Sequence, residues 1–97
     1  MLQIVVQLRP NVIQALEKRL EKIRASGGYI FPGTAARFVS RSDQRPDEIH
    51  ILLIWRGSMI PTPEAREAAL EELRRELADV LDWETARYET EQVLMHT

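Results

Sequence analysis

His50, Tyr88 and Arg56 are the side chains of this chain best suited to chemistry. An imidazole can move protons near neutrality, a phenol can donate or accept a hydrogen bond, and a guanidinium can hold an anion. His50 opens the segment Glu48-Ile-His-Ile-Leu-Leu-Ile-Trp-Arg56. Strand alternation sets it with Leu52, Ile54 and Arg56 on one face, and sets Ile49, Ile51, Leu53 and Trp55 on the other. His50 is then a general base or ligand contact, or else a hydrogen-bonded residue at a strand end or dimer contact. The other histidine, His96, sits next to the last residue, Thr97.

Trp55, Tyr29, Phe31 and Met59 are the candidate ligand-binding residues. Tyr29-Ile-Phe31 and Met59-Ile60 place large apolar side chains where strands meet helices. They line a pocket mouth or, the favoured reading, cap the core or a partner's edge. Trp55 on a central strand lines an aromatic pocket or packs under a helix, and packing is favoured. Gln3, Gln7, Arg9, Arg37, Arg56 and Tyr88 are expected to share an open sheet face. That face is a polar cavity or the seam of a homodimer, with the seam favoured.

No metal or other cofactor is expected. The chain has no cysteine, which removes disulfides, thiolate nucleophiles and soft metal sites. Asp43, Asp47 and Glu48 cluster near a turn but match no calcium loop. Two distant histidines are too few for most transition-metal sites. There is no phosphate loop, dinucleotide fingerprint, nucleophile elbow or His-x-x-x-His pair.

The elements that would position these residues follow from periodicity. Leu2, Ile4, Val6 and Leu8 alternate with Gln3, Val5 and Gln7, which predicts a strand from Leu2 to Leu8. Ile13, Leu16, Leu20 and Ile23 recur at helical spacing, so Asn11 to Ser26 reads as a helix capped by Asn11 and closed by Gly27. Thr34 to Ser40 reads as a short strand, and Arg41 to Asp47 as a turn. The segment from Glu48 to Arg56 is apolar on both faces, so it needs cover on both sides. Thr62-Pro63-Glu64 starts a second helix running to about Val80, with a stripe of Leu70, Leu73, Leu77, Val80 and Leu81. Glu71 and Arg75 are spaced to pair on its surface. Asp82 to Met95 is a last extended segment with imperfect alternation, and a bulge or break is expected near Thr90.

The order strand, helix, strand, strand, helix, strand resembles the ferredoxin-like superfamily and, within it, the dimeric α+β barrel proteins. The resemblance spans residues 1–97 as a single domain and carries no residue motif. It implies an α+β sandwich: a four-stranded antiparallel sheet, two helices on one face, and the second face buried in a homodimer. Members of that group include small monooxygenases, haem-degrading enzymes and cyclases, and fold alone does not choose among them.

Composition narrows the function further. With 44% hydrophobic and 29% charged residues, the chain fits a soluble globular domain. A net charge of −2 gives no general attraction to nucleic acid. An RNA-binding sheet of this order needs aromatic residues on its central strands, and only Trp55 is present there. No apolar run reaches membrane-spanning length, the N-terminus has no secretory leader, and the lack of cysteine suits the cytoplasm. The favoured expectation is a homodimeric interaction domain. The alternative is a cofactor-free enzyme, monooxygenase- or cyclase-like, or a binder of a small apolar ligand, with its pocket between sheet and helices. A pocket of about 300 Å³ or more with convergent polar groups favours the ligand binder, and a packed interior favours the interaction domain.

Overall fold

The structure, a computed structural model, describes residues 1–25, 34–55, 62–92 and 94. Its elements are β1 (Leu2–Leu8), α1 (Ile13–Ala25), β2 (Thr34–Arg41), β3 (Glu48–Trp55), α2 (Pro63–Glu76) and β4 (Leu81–Thr90). The strands form one antiparallel sheet in the order β2-β3-β1-β4. This is the ferredoxin-like α+β fold, with the first and third strands central.

The two central strands set the faces of the sheet. β1 and β3 place Leu2 opposite Leu53, Ile4 opposite Ile51 and Val6 opposite Ile49. Directly opposed residues share a face. These six side chains are buried and form one cluster with Leu16 of α1 and Leu70 and Leu77 of α2. Both helices therefore cover the same face.

The helix starts differ in their chemistry. Thr62 caps α2: its Oγ1 accepts a hydrogen bond from the Ala65 amide at 3.2 Å, and Pro63 takes the first helical position. Asn11 does not cap α1. It adopts φ 60 in the turn before the helix, a left-handed conformation that asparagine tolerates. The Val12 carbonyl accepts the first helical hydrogen bond, from the Leu16 amide. Helix α2 ends at Glu76 rather than near Val80, yet Val80 and Leu81 stay buried in the turn and strand that follow.

β4 carries an irregularity that moves the expected bulge. Asp82 pairs with Gln7 and Arg87 pairs with Val5, so four residues of β4 stand opposite Val6 alone. The Thr85 hydroxyl fills the gap, accepting from the Gln7 amide at 3.0 Å and donating to the Asp82 carbonyl at 2.6 Å. Beyond it the ladder is regular up to Thr90, where the strand ends. The bulge thus lies at residues 83–86, and what falls at Thr90 is the expected break, the end of the strand. The bulge also switches the strand's parity: Leu81 stands on the helix side before it and Tyr88 after it, and Trp83 and Ala86 within it both pack against the core.

Two arginines tie α2 and the turn after it to their neighbours. Arg19 of α1 forks onto Asp79 and also donates to the Glu76 carbonyl at 2.9 Å. Arg74 of α2 donates to the Tyr88 hydroxyl of β4 at 3.1 Å and to Glu67 at 2.7 Å, with its guanidinium 5.4 Å from the centre of the Tyr88 ring. Glu71 pairs with Arg74, not with Arg75 as its spacing suggested.

Ile4 is 0% exposed at the centre of the core. Ile4→Ala should cost about 2–5 kcal/mol. At about 4–8 °C per kcal/mol for a domain of this size, thermal unfolding should fall by at least about 8 °C. A shift below about 3 °C would show that the core is not organised around this residue.

Candidate functional site

Among the described residues, a cleft of about 280 Å³ lies between the helices and the β2–β3 side of the sheet. Ile51 and Leu53 form its floor, and residues 37–39 of β2 form one wall. Leu20 and Ile23 of α1, with Ala69, Leu73 and Leu77 of α2, form the roof. The lining is predominantly apolar, and its charged members are Arg24 and Arg37.

A different chemistry sits on the opposite sheet face. There β3 presents Glu48, His50, Leu52 and Ile54, and β1 presents Gln3, Val5 and Gln7 beside them. Glu48 is only 5% exposed, which an unpaired carboxylate does not tolerate. Two partners compensate it: His50 Nε2 lies 2.8 Å from its Oε1, and Arg45 Nε lies 2.7 Å from its Oε2. The hydrogen bond with His50 holds the Glu48 carboxyl below its ordinary range, against the effect of burial, and the Arg45 charge adds to it. The ionised carboxylate only accepts, so Nε2 is the protonated ring nitrogen. Glu48 and His50 lie two residues apart on a strand, a spacing that already places them on one face. The spacing makes this pairing legible in the sequence, although Glu48 reads there as part of a turn cluster with Asp43 and Asp47.

The structure separates several residues expected to act together. His50 belongs to the open face, as expected, and so faces away from the cavity below Ile51 and Leu53. Tyr88 pairs with Ile4 and so lies on the helix side, tied to Arg74. Arg37 pairs with Leu53 and also belongs to the helix side. Arg9 donates to the Ala78 carbonyl at 3.2 Å, at the end of α2. Of the residues expected on the open face, Gln3 and Gln7 are there, whereas Tyr88, Arg37 and Arg9 are engaged elsewhere. Trp55 is half-buried against the core, outside the cavity lining. Arg56, Tyr29, Phe31 and Met59 lie outside the described residues, as does His96. Among the described residues, no group of three or more histidine or acidic side chains could hold a metal ion, and no helix is long and apolar enough to cross a membrane.

Comparison with known proteins returns the fold. No protein-family model matches the chain, and no curated protein does. Solved structures do match over nearly the whole length. A candidate antibiotic biosynthesis monooxygenase from Bordetella bronchiseptica superposes with a TM-score of 0.70 at 16% identity, covering 97% of each chain. A protein of the same description from Chloroflexus aurantiacus gives 0.58 at 23% identity, covering 99% of this chain and 94% of its own. One from Nitrosomonas europaea gives 0.64 at 14% identity, covering 97% of each. Likeness at these identities establishes the ferredoxin-like fold and no activity.

The depressed Glu48 carboxyl makes a signed prediction. A folded-state value below the ordinary 4.5 contributes stability that is present above that pH and lost as pH falls through the folded value. Glu48→Gln has no such proton linkage. Its thermal midpoint should therefore decline less steeply than the parent's below about pH 4.5. Parallel acid limbs in a melting series would contradict the pairing.

Proposed function

We propose that the chain is a homodimeric small-molecule-binding domain. Its ligand occupies the cavity between the helices and β2–β3, and its second copy covers the opposite sheet face. The cavity is the observation that carries the reading. The space is a half-open cleft of about 280 Å³ with predominantly apolar walls, a shape that can take a small molecule out of water. It lies just below the usual range of ligand pockets, about 300–1,000 Å³, which fits a small and largely apolar molecule.

The open face supports the dimer. Val5, Leu52 and Ile54 are half-buried there, and Phe38, opposite Leu52 on β2, is 55% exposed. Burial returns about 25 cal/mol per Å² of apolar surface, so a self-complementary seam over these residues is favourable. The dimeric α+β barrels that the chain resembles use this face in the same way.

A second reading, oxygenation of the bound molecule, draws on the names of the neighbours from Bordetella bronchiseptica, Chloroflexus aurantiacus and Nitrosomonas europaea. The described lining contains no imidazole, thiol or carboxylate. In that reading the cavity contributes shape and apolar walls, and the reactivity belongs to the substrate. His50 and Tyr88 remain the candidates for proton transfer elsewhere on the molecule, and Trp55 for a ligand contact at the edge of β3.

Two outcomes are expected. The neutral probe naphthalene-1-carboxamide should bind at one site per chain, and Ala69→Phe, which fills the cavity, should weaken it at least tenfold. Ala68→Phe, on the exposed side of α2, should leave binding as in the parent. Equal affinity in all three proteins by titration calorimetry would remove the cavity as the site. In sedimentation equilibrium the chain should be a dimer at micromolar concentration, and Phe38→Asp should shift it to monomer with its circular dichroism unchanged. A monomeric parent would contradict the seam.

A further inference from the structure

We infer that the cleft selects its ligand by size and by charge: it takes a compact uncharged body, and Ala69 is the residue that sets the upper size. This rests on the cleft being a ligand site, and it adds the ligand's class and the side chain that discriminates.

The roof of the cleft is uneven along α2. Ala69, Leu73 and Leu77 are spaced by four residues, so their side chains lie in one row, and all three line the cleft. The row closes toward its C-terminal end. Leu77 is 1% exposed, Leu73 is half-buried, and at Ala69 the side chain shrinks to a methyl group. Ala69 packs toward the core while its neighbour Ala68 is exposed. In the described lining it is the one residue smaller than valine.

The spacing of that row converts into ligand size. Four residues advance about 6 Å along a helix axis. A one-ring ligand can therefore rest against Leu73 without reaching Ala69. A fused two-ring body extends past Leu73 into the space that the methyl group leaves. Leucine at position 69 would continue the row and occupy that space. Added carbons in a packed site force neighbouring side chains out of their preferred rotamers. Bulk at this position thus acts against the larger ligand and spares the smaller one.

The described lining offers no new partner to a charged group. Its polar side chains are Arg24 and Arg37, and the rest are apolar. Arg24 pairs with Glu21 at 2.7 Å, and Arg37 is engaged in an interaction of its own. A carboxylate or ammonium seated here would lose hydration without compensation, whereas an uncharged body loses little.

The test is titration calorimetry on the full chain with benzamide, naphthalene-1-carboxamide and 1-naphthoate. The parent should bind naphthalene-1-carboxamide at least tenfold more tightly than either of the others. Ala69→Leu should weaken naphthalene-1-carboxamide at least tenfold and change benzamide by less than threefold. Ala69→Val, a smaller perturbation of the fold, should give an intermediate loss for the larger amide with its circular dichroism as in the parent. Equal weakening of the two amides, or weakening of neither, would overturn the role of Ala69. Naphthoate binding as tight as the larger amide, or tighter, would overturn the uncharged class and leave the cavity reading standing. Failure of all three probes to bind the parent would end the cavity reading and this inference with it.

Discussion

The structure depends on one ladder, the antiparallel pairing of β1 with β3. It opposes Leu2 to Leu53, Ile4 to Ile51 and Val6 to Ile49, and so gathers six large side chains on a single face. With period-2 strands the same register fixes the other face. Gln3 stands beside Leu52, Val5 beside His50 and Gln7 beside Glu48. The ladder that builds the core therefore also builds a mixed second face, and the two described helices both cover the first.

How α2 is anchored decides where the core remains open. Arg74 ties the last turn of α2 to Tyr88 on the edge strand β4, and Arg19 ties α1 to the turn after α2. Leu70, Leu77, Val80 and Leu81 then close the layer beneath β1 and β4. At the other edge the sheet continues under β2, with Val39 still 43% exposed and Leu73 only half-buried. The cavity occupies that side.

Much of this is legible in the sequence, and the exceptions have physical causes. Element order, the central position of β1 and β3, the Thr62-Pro63 helix start and the apolar stripe of α2 all follow from periodicity and capping chemistry. Tyr88 does not. Its face cannot be read by counting from Leu81, because the bulge at residues 83–86 switches the parity of β4. Arg37 fails for a related reason: β2 carries no clean alternation, and only its pairing with β3 reveals its face. Asn11 has a capping side chain but takes a left-handed backbone instead. Glu48 and His50 are readable as a pair by their spacing, whereas Arg45 reaches Glu48 only because the turn folds back. The cavity is the least legible feature, being the volume that leucines and isoleucines fail to fill.

The central claim is that the ligand binds between helices and β2–β3, on the side of the sheet away from His50. Methyl-resolved NMR during titration with naphthalene-1-carboxamide addresses it most directly. Resonances of Leu20, Ile23, Leu53 and Leu73 should shift together and saturate, while those of Val5, Leu52 and Ile54 on the open face should stay in place. Perturbations confined to Val5, Leu52 and Ile54, or none at all, would contradict the account.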